Sequence, residues 1–116
     1  MKEAIALYAD GEISRFVMPE DELTTLQQIV GGWVQCVPLA DDLTLWCNDE
    51  GKLMGLPHNA LAQHIWNRFV GGGTDFIVGN VVLFGDADEN GDSLGLSKPL
   101  ANSIMGMLLS DQEGAS

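Results

Sequence analysis

The spacing of apolar positions changes several times along the chain, and each change marks an element. In "AIALYADGEISRFVMP" two β-favouring runs flank Asp10-Gly11. This predicts a hairpin with a two-residue turn, for which Gly supplies the positive φ. Leu23, Leu26 and Val30 then recur at helical spacing. Pro19 and three acids precede them in positions that suit a helix's first turn, and Gly31-Gly32 supplies the stop. "WVQCVPLADDLTLWCN" predicts a second hairpin, turning at Asp41-Asp42. With an even-numbered loop Cys36 lies opposite Cys47, on a face shared with Val34, Leu43 and Leu45; Trp33, Val37, Leu39 and Trp46 fill the other face. Apolar residues on both faces place these strands near the middle of a sheet.

The alternation breaks at residues 46–59, "WCNDEGKLMGLPHN", where turn-forming residues sit between two apolar segments with an Asn near each end. The stretch is either a binding loop or the joint between a strand and a helix. After it, "NALAQHIWNRFVGGG" predicts a short amphipathic helix capped by Asn59, with Leu61, Ile65 and Phe69 inward and the glycine run as its stop. "DFIVGNVVLFG" is continuously apolar and predicts one long buried strand, or two with a bulge at Gly79. A final helix is predicted in "SKPLANSIMGMLLSD", with Ser97 as cap, Pro99 in its first turn, and Leu100, Ile104 and Leu108 inward. The order β-β-α-β-β-α-β-α implies an α+β fold, a mainly antiparallel sheet of hairpins with three short helices packed on it. Residues 1–110 read as one domain and 111–116 as a frayed tail.

Charge narrows the partners. Five basic residues against seventeen acidic ones give a formal charge of −12. Nucleic acid and anionic membrane surfaces would both repel such a chain. A surface that mimics a duplex to occupy DNA-binding proteins is the sharp reading of the acids, and a solvated surface is the bland one. No segment reads as a signal peptide, and none approaches the roughly 20 apolar residues of a membrane span. The expectation is a cytoplasmic protein whose Cys36 and Cys47 are buried, reduced thiols, although their opposed placement also permits a cross-strand disulfide.

The usual catalytic patterns do not appear. The acidic turn "DADENGD" sets Asp86, Asp88 and Asn90 at alternate positions, with Gly91 next and Asp92 after it, as a calcium loop would. Position twelve is Ser97, where a bidentate Glu belongs, and a strand precedes the loop instead of a helix; an ordinary acidic turn explains the same letters. Calcium is the one cofactor these residues suggest, and it is not the favoured reading. Cys36, Cys47, His58 and His64 lack the short spacings of a zinc site. No G-x-S-x-G is present, and acids beside Cys47 oppose thiol activation. The "VGGGTD" and "VGGW" glycines follow predicted helices, whereas a phosphate loop precedes one.

Three segments in order carry a resemblance: Val30-Gly31-Gly32 with the aromatic-led strand 33–39, the run 48–59, and the strand 77–85. Over roughly residues 23–97 the chain resembles the domain of unknown function 3846 family, small proteins of bacteriophages, mobile elements and bacteria. It departs from that pattern in the helix "QHIWNRFVGGG" and in its long last helix. The resemblance implies a viral or mobile-element origin but no reaction. By their own chemistry Asn48, Lys52 and Asn59 are candidate binding residues. Turn closure and helix capping are the favoured account of the two asparagines, and pairing with Asp49 or Glu50 is the default for Lys52.

Three functions follow as expectations. The first is a non-catalytic phage accessory protein that binds a host or phage protein in the host cytoplasm, against host machinery or defence. In this reading Met105, Met107 and Leu109 widen the apolar face of the last helix toward a partner or a homodimer. The second is a small-ligand binder that sequesters a nucleotide signal, with Lys52 for charge, Asn48 for hydrogen bonds and Trp46 or Trp66 for stacking. The third is a calcium-dependent module or weak enzyme built on residues 86–92.

Overall fold

The computed structural model describes residues 2–71, 76–86 and 94–114, with side chains up to residue 110. Its elements are β1 (Glu3–Leu7), β2 (Ile13–Val17), α1 (Glu22–Val30), β3 (Val34–Ala40), β4 (Leu43–Asn48), α2 (Ala60–Val70), β5 (Val81–Phe84) and α3 (Lys98–Gly114). The predicted order and α+β class hold. The strands form one five-stranded sheet in the order β2-β1-β5-β4-β3, with every pairing antiparallel.

β5 lies between the two hairpins. It pairs with β1 on one side and β4 on the other, and all four of its residues are buried. A strand paired at both edges and covered on both faces needs a continuous apolar run, which "VVLF" supplies. Alternate residues feed two cores. Ile5, Leu7, Leu45, Val81 and Leu83 pack with Ile65 and Trp66 of α2 and Ile104 and Leu108 of α3. Ala4, Ala6, Val82 and Phe84 pack with Leu26 of α1 and Met18 on the opposite face. The small Ala4 and Ala6 lie on the face that carries one helix, and the large Ile5 and Leu7 on the face that carries two.

Several local expectations change. The first hairpin closes by a Tyr8 N–H bond to the Glu12 carbonyl and a Gly11 N–H bond to the Tyr8 carbonyl, both 2.9 Å. Its loop therefore has three residues, with Gly11 in the left-handed region at φ 97°, and not two. In the second hairpin Ala40 pairs with Leu43, which keeps the Asp41-Asp42 turn, but an irregularity between Pro38 and Ala40 slips the register by one. Cys36 therefore pairs with Trp46, and Gln35 with Cys47. One slipped residue sends every later side chain to the other face. Val37 and Leu39 now share the two-helix core with Leu45 and Cys47, whereas Val34 and Trp46 join the α1 core. The cysteines are free and lie on opposite faces, and Cys36 is exposed rather than buried.

β3 is an edge strand, not a central one. Pro38 and the irregularity beside it sit where a sheet must be kept from growing. Trp33, expected on a sheet face, precedes β3 and is 72% exposed. In α1 the cap is Asp21, whose carboxylate accepts from the Thr24 N–H, so Pro19 lies outside the helix. Leu23 faces solvent, while Leu26 and Val30 face the core. Ser97 caps α3 as expected through its bond from the Leu100 N–H, and the helix continues to Gly114, past its predicted end. Among the described residues no helix is long and apolar enough to cross a membrane.

Candidate functional site: a groove beside the β4–α2 connection

The connection 49–58 is built from both ends inward. At its start Asn48 is buried: its Nδ2 donates to the Val30 carbonyl at 3.2 Å and its Oδ1 accepts from the Glu50 N–H at 2.8 Å. One side chain thereby ties the end of α1 to the end of β4 and closes an Asx turn. At the far end Asn59 is 0% exposed. Its Nδ2 donates to the carbonyls of Leu7 at 2.9 Å and Gly79 at 2.8 Å, while its Oδ1 accepts from the Ala62 N–H at 3.0 Å and caps α2. Residues 57–59 run beside 77–79 through bonds from the Asn59 N–H to the Ile77 carbonyl and from the Gly79 N–H to the Pro57 carbonyl. Gly79 holds φ at 75° there, and a Cβ on it would stand 2.8 Å from Leu56 Cδ1.

Between these fixed ends lies a groove of about 270 Å³. Its floor is Val37 and Cys47 from the sheet face that carries α2 and α3, one wall is the turn 49–53, and the other is 76–78. Apolar side chains stand in water on both walls: Leu53 is 90% exposed and Phe76 55%. Met54, next along the turn, is also exposed. Lys52 reaches across, with its ammonium 4.6 Å from the centre of the Phe76 ring, a cation–π contact that joins the two walls. Asp49 and Glu50 complete the turn's wall.

The other predicted site residues lie elsewhere. Trp46 faces the α1 core on the side of the sheet opposite the groove, and Trp66 is buried under α2 in the larger core. Both indole N–H groups are buried with no hydrogen-bond partner among the described residues. Neither ring joins Lys52, so the structure does not assemble the expected charge-and-stacking set. Met105 and Met107 pack at the margin of the larger core, and Leu109 alone of the three is exposed. Asp86 is exposed, while Asp88, Asn90 and Asp92 lie outside the described residues. Among the described residues no group of three or more His, Cys, Asp or Glu side chains could hold a metal ion. Although Cys36 is exposed as a residue, partial burial of its thiol pushes it up from its ordinary value of 9.0, and the Asp86 charge adds to that, while a hydrogen bond with Thr44 opposes it.

Sequence reasoning missed the apolar half of the groove. Leu53 and Met54 sit inside a turn-forming run with no helical or strand period to bury them, which is a readable signal of exposed apolar surface. It also missed Gln63, whose Oε1 accepts from the Ile77 N–H at 2.9 Å and secures the second wall to α2. A polar residue on a helix carries no mark of a partner 14 positions away.

In comparison with known proteins, the chain matches the family described as Domain of unknown function (DUF3846) over residues 1–109. The match is wider than the segments that carry the resemblance and takes in α2 and most of α3. No curated protein and no solved structure matches it.

Proposed function

The chain belongs to the DUF3846 family, and from that premise we propose that it is a non-catalytic phage or mobile-element accessory protein that binds a host or phage protein through the groove. The observation that carries this reading is the pair of exposed apolar side chains, Leu53 and Phe76, on facing walls of one groove. An apolar pair left in water above an apolar floor is what a protein partner covers, and single aromatic anchors commonly dominate such contacts. The polar residues nearby support it too, because Asn48 and Asn59 are engaged by the backbone.

The test is affinity capture from host lysate with the wild-type chain and with Leu53→Asp and Phe76→Asp. Circular dichroism would verify that each variant is folded. The expected result is one protein recovered repeatedly by wild type and lost by both variants. Recovery of the same proteins by all three baits would overturn the groove. A wild-type bait that captures nothing, with a melting temperature raised by nucleotides, would replace protein binding with small-ligand binding.

A further inference from the structure

Resting on the groove as a docking face, we infer that its occupant is a basic segment of a partner protein. An apolar side chain of that segment lies between Leu53 and Phe76, and its Lys or Arg side chains lie against Asp49 and Glu50. Three observations converge. Val37 in the floor and Leu53, Phe76 and Ile77 in the walls give the lining an apolar part. The same turn that carries Leu53 places Asp49 and Glu50 in the lining. Lys52, the one cation in that lining, is held over the Phe76 ring, where its charge meets an aromatic face.

The whole chain adds to this local sign. At a formal charge of −12 its field attracts a cationic segment and repels an acidic one. A second copy would bring its own Asp49 and Glu50 against these, so self-association through this face is disfavoured. Complementary charge at a rim chiefly raises the association rate and rejects wrong partners, while the apolar anchor supplies affinity. The carboxylates can be neutralised without touching the turn's framework. The Asp49 N–H bond to the Trp33 carbonyl and the Glu50 N–H bond to Asn48 Oδ1 are both made by the main chain.

The experiment selects a displayed random peptide library on the full chain, with Leu53→Asp as the counter-selection. Synthetic copies of the binders are then measured by fluorescence anisotropy at low and high salt, against wild type and the Asp49→Asn/Glu50→Gln double variant. The expected binders carry Lys or Arg beside an apolar residue. They should weaken about fivefold or more on the double variant, and they should weaken as salt screens the contact. Groove-dependent binders that are neutral or acidic and indifferent to salt would overturn the basic partner while leaving the groove as a docking face. Failure to obtain any groove-dependent peptide would overturn this inference and leave the groove itself to the lysate capture.

Discussion

The two ends of the β4–α2 connection and its middle obey opposite rules. At the ends Asn48 and Asn59, the residues that look most like chemistry, are buried and bonded to main chain on both sides. In the middle Leu53 and Met54, which look like filler, stand in water. The reason is hydrogen-bond accounting. The end of β1, the segment 77–79 and the start of α2 meet around Asn59, and its buried side chain bonds main-chain groups of all three. Asn brings a donor and an acceptor together, so it serves β1, the segment 77–79 and a helix cap at once. The turn's main chain closes on itself, with the Met54 N–H bonded to the Glu50 carbonyl and the Leu56 N–H to the Gly51 carbonyl. Its side chains are therefore free to face outward.

This contrast is broken most forcefully at Asn59. Asn59→Ala removes the bonds to the Leu7 and Gly79 carbonyls and the capping acceptor of the Ala62 N–H from a fully buried site. The expected loss is about 3 kcal/mol or more, read as a lower urea midpoint at unchanged m-value. A loss below about 1 kcal/mol would remove Asn59 from the framework. Gly79→Ala comes next, at about 1–3 kcal/mol, because φ of 75° and the approach to Leu56 both oppose a Cβ. The double variant with Leu56→Ala should recover only the steric share in the same titration, leaving the backbone penalty. Asn48→Ala is smaller, about 1–2 kcal/mol, since it loses one bond to Val30 and one from Glu50. Hydrogen exchange at the Glu50 amide should speed up with it, which a loosening confined to α1 would not produce.

How much of this was legible follows from range. Elements declare themselves by local period, so the eight elements and their order are readable from "AIALYADGEISRFV" onward. Asn59 as a cap is readable because its acceptor role is spent three residues away. Its donor role reaches Leu7, 52 positions back, and has no local trace. The Asp41-Asp42 turn was legible, but the slip between Pro38 and Ala40 was not, and it alone separates Cys36 from Cys47. A bulge changes no composition and shifts every pairing beyond it. The central place of β5 shows only as an all-apolar run. The groove was legible in half: its charged turn is contiguous in sequence, whereas its second wall arrives from residues 76–78, held by Gln63.

The smallest expected effects belong to the middle of the connection. Leu53→Ser removes a side chain that is 90% exposed, so its stability change should stay within about 0.5 kcal/mol of zero. Phe76→Ala differs because it also removes the ring beneath Lys52. Comparing Lys52→Ala, Phe76→Ala and the double variant by chemical denaturation isolates that contact, with an expected coupling of about 0.5–1 kcal/mol. A coupling of that size means that the two walls are fastened before any partner arrives, so little ordering is left for binding to cost. A coupling near zero means that they move independently, and the two rim residues would then be positioned only by the framework at Asn48, Asn59 and Gln63. Leu53→Ser answers the same question from the other side. If it destabilised the fold by as much as Asn48→Ala, Leu53 would be packing in solution, and the contrast between bonded ends and open middle would fail at its clearest point.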